Sequence, residues 1–156
     1  MRVPDLMKKA MSRFSAVCAQ ADSDAKRLRA MGTVEPVVTG SLKFDIQAPQ
    51  SALISASEWK KTIKEPVVMF ASTRDGEEAL IVEALKKEAR NDVRYLLVPR
   101  HPQRFSEVEE LVKSAGLPYQ KRSALSQASD LREETRVILG DSMGEMFFYC
   151  ALADVT

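Results

Sequence analysis

The chain has few residues that react with or coordinate other groups. One histidine, His101, and two widely separated cysteines, Cys18 and Cys150, make neither a CxxC pair nor any metal-ligand spacing. That spacing offers no metal-binding motif, and no metal-assisted route is expected. Both cysteines lie in apolar runs and are expected to be buried thiols of a reducing compartment. Long hydrophobic runs are also missing. The longest, Met146 to Ala153, falls far short of the roughly 20 residues that a membrane span needs. Met1-Arg-Val-Pro carries no apolar region and no cleavage signal, so neither insertion nor export is expected of this stretch. Charge of one sign is lacking too: 23 basic and 22 acidic residues leave a net charge of +1. No global field recruits nucleic acid or an anionic membrane, so any charge-based recognition must be local.

What is present is the material of a folded core. A length of 156 residues with 45% apolar side chains suffices to close one. Val3, Leu6, Met7, Ala10 and Phe14 share one face at helical spacing and predict a helix opening almost at the first residue. Ala16-Val-Cys-Ala reads as a short buried strand, and Ala21, Ala25 and Leu28 as a helix that Gly32 can end. Glu35-Pro-Val-Val-Thr-Gly reads as a strand and turn. Gln47-Ala-Pro-Gln has turn composition, and Ala52, Ala56, Trp59 and Ile63 give helical spacing as far as Glu65-Pro66. Residues 47–65 are therefore read as a linker helix at a domain boundary.

Strand and helix then alternate regularly: strand 67–71, helix 77–89, strand 93–98 and helix 106–115. After Gly116 an apolar turn leads into Tyr119, followed by a polar loop over 123–135. A strand over 136–139 and a helix from Met143 to Ala153, apolar on nearly every side, precede the opening residues of another strand at 154–156. Continuous apolar strands between helices predict an α/β fold, a parallel sheet with helices on both faces.

Ligands of such sheets bind beyond the carboxyl ends of the strands. Four stretches occupy those positions. In Val38-Thr-Gly-Ser-Leu-Lys-Phe-Asp45, Lys43 can neutralise charge on a departing phosphate, or be a surface lysine on a linker. In Ala71-Ser-Thr-Arg-Asp-Gly-Glu-Glu78, Thr73 or Asp75 can cap a helix, and small residues at its start also admit an anion. In Val98-Pro-Arg-His-Pro-Gln-Arg-Phe105, Arg100 offers a rigid fork for phosphate or nucleobase, or else covers a carboxylate; His101 can stack, donate or pack. In Leu139-Gly-Asp-Ser-Met-Gly-Glu-Met146, Gly144 leaves room for a ligand against the backbone, and Glu145 can accept from a ribose or base. The last stretch lacks the lysine and glycine spacing of a Walker loop.

In this order the four motifs, with Ala-Gln at 19–20 and Cys-Ala-Leu-Ala-Asp at 150–154, resemble the Kdo transferases of Gram-negative bacteria from about Phe14 to Thr156. The resemblance implies a GT-B glycosyltransferase, two Rossmann-like domains that move 3-deoxy-D-manno-octulosonate (Kdo) from CMP-Kdo to a lipid A precursor. It implies that residues 1–46 are the end of the acceptor-side domain and the linker, and that 66–156 are the front of the CMP-sugar-binding domain. Lys43 would stabilise the transition state, and Pro99, Arg100, Met143, Gly144 and Glu145 would contact CMP. No cofactor, metal or nucleic acid is implied. Membrane association, at the cytoplasmic face of the inner membrane, would come through regions absent from this chain. The family's Ser-Val-Gly-Glu, whose glutamate is the general base, and its Gly-Gly-His-Asn-Pro-Leu-Glu segment do not occur here. An internal piece, inactive alone, is therefore expected. Arg74 stands where many members have histidine. The other readings the residues allow are a stand-alone α/β nucleotide-binding or regulatory module, and a GT-B enzyme using another donor.

Overall fold

The computed structural model describes residues 3–156 apart from the side chains of Val3, Leu42 and Phe44, so Val3's expected place on an apolar helix face lies outside the described residues. The chain divides into two compact units, Met1–Gln47 and Ala48–Thr156.

The smaller unit holds helix α1 (Val3–Met11), strand β1 (Cys18–Ala19), helix α2 (Asp22–Ala30) and strand β2 (Val37–Val38), followed by a 3-10 turn over Leu42–Asp45. β1 and β2 pair in parallel, with Cys18 opposite Val37 and Ala19 opposite Val38. α2 carries Asp22 and Asp24 in its first turn and Arg27 and Arg29 in its last, the arrangement that opposes the helix dipole. Two expectations are corrected here. α1 stops at Met11, so Phe14 lies beyond the helix and is exposed. Cys18 is also exposed, because successive strand side chains point to opposite sides and Ala19 takes the inner one.

The larger unit follows the alternating pattern. It comprises α3 (Gln50–Thr62), β3 (Val67–Thr73), α4 (Glu77–Glu88), β4 (Arg94–Pro99), α5 (Phe105–Ser114), β5 (Tyr119–Lys121), β6 (Val137–Leu139) and α6 (Met146–Leu152). The four strands run parallel in the order β3-β4-β6-β5, and Val155 bridges to Val68 on the outer side of β3. The sheet is covered on both faces. Val67, Met69, Leu96, Val98 and Ile138 pack against Ala56 and Trp59 of α3 and Phe148, Tyr149 and Leu152 of α6. The alternate residues Tyr95, Leu97, Val137 and Leu139 pack against Val82 and Leu85 of α4 and Val108 and Val112 of α5. Within this unit α3, read from the sequence as a linker helix, contributes Ala56 and Trp59 to the core.

β5 falls between the expected turn into Tyr119 and the expected loop over 123–135, where the sequence suggested no strand. It is a three-residue edge strand of half-buried side chains, held by backbone pairing with β6 rather than by apolar burial. α6 begins at Met146 rather than Met143 and is buried on one side only. Phe148, Tyr149 and Leu152 face the sheet, while Cys150 faces outward and is exposed, against the expectation of a buried thiol.

Candidate functional site

The carboxyl ends of β3 and β4 are tied together by polar contacts. β3 ends in a register shift between Ala71 and Thr73, where Ser72 takes a left-handed φ of 53°. Beyond the shift, the buried Thr73 hydroxyl donates to Glu78 Oε1 at 2.9 Å. The Arg104 guanidinium meets Glu78 Oε2 at 2.8 Å, Glu107 at 2.8 Å and Asp75 at 3.2 Å. Those carboxylates, Glu107 first and then Glu78, raise the Arg104 pKa further above its usual value. Neither Thr73 nor Asp75 caps α4. Gly76 occupies the N-cap, and the Glu77 carboxylate reaches back to accept from the Arg74 amide at 2.7 Å.

Pro99, buried, closes β4, and the Arg100 amide donates to the Thr73 carbonyl at 2.9 Å. The Arg100 side chain is exposed, and among the described residues no carboxylate lies within salt-bridge distance of it. The arginine that covers a carboxylate in this loop is Arg104, four residues later. His101 is exposed and precedes a 3-10 turn over Pro102–Arg104 without a side-chain capping bond.

β6 lies beside β4, and its exit is the more constrained one. Gly140 donates its amide to the Leu97 carbonyl at 2.8 Å. A Cβ at Gly140 would stand 2.9 Å from Val98 Cγ2 and 3.2 Å from Tyr149 Cζ. Asp141 accepts from the Ser123 amide at 2.8 Å and the Ser123 hydroxyl at 2.6 Å, with Lys121 Nζ at 3.7 Å. Gly144 takes a φ of +82°, and the space beside its Cα is open. With Glu145 it borders a pocket of about 300 Å³ whose other walls are Pro49, Ser51, Ala52 and Ser55 around the start of α3, and Phe148. Met143, beside them, is 66% exposed.

The Glu145 carboxylate is held on two sides. Arg122 Nη2 donates to Oε1 at 2.7 Å, and Ser142 Oγ contacts Oε2 and also meets the Tyr149 hydroxyl. Arg122 follows β5 and lies over the rings of Trp59 and Phe148, with Cζ 5.0 and 4.9 Å from their centroids.

Of the residues expected from the sequence, Gly144 and Glu145 line one pocket, Met143 adjoins them, and Pro99 and Arg100 leave the neighbouring strand. Lys43 belongs to the smaller unit, exposed in the 3-10 turn, its amide bonded to Ser41 Oγ at 3.3 Å. Sequence reasoning passed over Arg104, Arg122 and Ser142. Arg104 stood inside a quoted motif, and its signal was the pair of glutamates at 77 and 78 that needs a counter-charge. Arg122 had no local signal, because the strand that delivers it contains Gln120 and Lys121.

Comparison with known proteins bears on this arrangement. The family model described as 3-Deoxy-D-manno-octulosonic-acid transferase (kdotransferase) matches residues 1–46. A 3-deoxy-D-manno-octulosonic acid transferase of Bordetella pertussis is 41% identical over 96% of this chain, and one of Haemophilus influenzae 32% identical over 92%. The chain spans 36% and 34% of the lengths of those two relatives. Among solved structures, the C-terminal CMP-Kdo binding domain of WaaA from Acinetobacter baumannii is similar with a TM-score of 0.62 and 32% identity, covering 69% of this chain and 56% of that one.

Proposed function

We propose that this chain, which belongs to the family of 3-deoxy-D-manno-octulosonic acid transferases and spans about a third of the length of its relatives, supplies the CMP-sugar site of such an enzyme. The observation that carries the reading is a coincidence of likeness and geometry. Over 69% of its length the chain resembles a CMP-Kdo binding domain, and the β4 and β6 exits present Arg100, exposed and without an ion pair among the described residues, and Glu145 held at an open pocket.

In this reading Pro99 shapes the β4 exit while Arg100 reaches the CMP phosphate with a charged donor. Gly144 lets the nucleotide approach the backbone, Met143 covers it, and Glu145 accepts from a hydroxyl or amino group. An acceptor hydroxyl of the lipid A precursor attacks the anomeric carbon of Kdo. The new C–O bond forms as the bond to the CMP phosphate breaks, CMP leaves with the electron pair, and the hydroxyl proton passes to a general base. Lys43, in the unit proposed as the end of the acceptor-side domain, would offset the charge that grows on the departing phosphate. No Ser-Val-Gly-Glu occurs in this sequence, so this stretch is proposed to bind the donor without transferring it. Among the described residues no helix is long and apolar enough to cross a membrane. Membrane association of the whole enzyme, at the cytoplasmic face, is part of the proposal and is assigned to its other regions.

Calorimetry of the chain with CMP, UMP and UDP tests the proposal. CMP binding in preference to the uridine nucleotides is expected; equal or no binding would refute a CMP-sugar site.

A further inference from the structure

We propose that Arg122 is a positioning residue of the nucleotide site, acting through Glu145; the inference rests on the reading above and deepens it. Arg122 makes no contribution to the sheet. It leaves the edge strand β5 and turns over α3 and α6, where Trp59 and Phe148 form an edge-on pair with centroids 5.3 Å apart and an interplanar angle of 87°. Its guanidinium sits over both rings, a placement that favours a cation on aromatic faces. Nη1 donates to the Leu125 carbonyl at 2.7 Å, which leaves Nη2 to meet Glu145 Oε1 at 2.7 Å. The planar fork is thus fixed in rotation by two rings and one carbonyl, and only one direction remains for the second nitrogen.

The other carboxylate oxygen is fixed by proton bookkeeping. Tyr149 Oη, Ser142 Oγ and Glu145 Oε2 are mutually in contact, yet the two hydroxyls have only one proton each. The chain that satisfies all three runs from Tyr149 to Ser142 to Oε2, with the 3.4 Å contact from Tyr149 to Oε2 as the weaker alternative. A carboxylate has about four lone-pair sites. Arg122 and Ser142 occupy one on each oxygen, so each oxygen keeps one for a ligand. The result is a carboxylate locked in orientation at the pocket lined by Ser51, Gly144 and Phe148, ready to accept without first ordering itself.

Binding of CMP to the full chain is compared among wild type, Arg122→Met, Arg122→Lys, Glu145→Gln and the double variant Arg122→Met/Glu145→Gln. Each of Arg122→Met and Glu145→Gln is expected to weaken CMP roughly tenfold, the worth of one charged hydrogen bond. The double variant is expected to be no weaker than either single one, since Arg122 acts only through Glu145. Arg122→Lys keeps the charge without the fork and should recover part of the loss. Additive losses of about a hundredfold, or Arg122→Met binding like wild type, would overturn the inference. A wild-type chain that fails to bind CMP refutes the nucleotide site instead, and amide hydrogen exchange then decides the role of Arg122. Faster exchange at residues 143–147 in Arg122→Met, with β4 and β6 unchanged, is expected if Arg122 holds this loop; unchanged exchange there sinks the positioning role.

Discussion

Arg104 Nη1 lies 2.8 Å from Oε2 of Glu78, a carboxylate with no exposed surface, and this pair joins the exit of β4 to the first turn of α4. A buried charge that loses its partner is costlier than the pair is favourable. Arg104→Met should therefore lower the urea midpoint more than Glu78→Gln, which removes the charge along with its need. The double variant should be less destabilised than the sum of the two, because the worst species, an orphaned Glu78 carboxylate, no longer exists. Additive shifts in the midpoint would show that the two residues are energetically independent.

Gly140 marks where β6 passes closest to its neighbours. With Val98 Cγ2 at 2.9 Å and Tyr149 at 3.2 Å from an added Cβ, both within a packed core, Gly140→Ala forces a shift rather than a rotamer change. A loss of about 1–3 kcal/mol in unfolding free energy is expected from such overpacking. Chemical denaturation with an unchanged slope would measure it, and a neutral result would mean that the β6 exit can relax.

How much of this was legible in the sequence depended on burial. β3, β4 and β6 and the helices between them announce themselves because each strand is wrapped on two faces and reads as an apolar run. β5 did not, since an edge strand is held by backbone bonds on one side and tolerates Gln120 and Lys121. The cysteines were misplaced for a related reason. Apolar neighbours report the element, but only the phase within it says that Ala19 and Tyr149 point inward while Cys18 and Cys150 point out. At the candidate site, glycine turns and strand ends singled out Arg100 and Glu145; of the groups that hold Glu145, Ser142 and Tyr149 belong to its own loop and helix, whereas Arg122 comes from a separate segment 23 residues earlier that no local pattern announces.

Tyr149 gives the site a pH signature. Burial, the largest influence, pushes its phenol up to about 12, whereas an unfolded tyrosine ionises near about 10. The folded state thus holds the proton longer than the unfolded one. Stability is fully present below about pH 10 and falls as the pH rises towards about 12. Tyr149→Phe should flatten that decline, leaving the shares of Tyr119, whose phenol burial also raises, and of Lys121, whose ammonium the hydrogen bond to Glu109 holds above its usual range. Equal alkaline slopes in the two proteins would contradict the assignment.

Arg100 is exposed and makes no ion pair among the described residues, so its removal should leave folding intact and act on the ligand alone. Arg100→Ala is expected to weaken CMP roughly tenfold or more, as for a lost hydrogen bond from a charged donor. Calorimetry beside a thermal melt checks both halves: unchanged affinity in the folded variant removes Arg100 from the site.

In the proposed enzyme the exits of β4 and β6 form one nucleotide site. The direct test is a proton–nitrogen correlation spectrum of the isotope-labelled chain titrated with CMP. Amides of residues 100–104 and 141–146 are expected to shift together with a single dissociation constant, while those of α5 and of the α4 carboxyl end stay in place. Shifts confined to one of the two loops, or centred on the far end of the sheet, would contradict it.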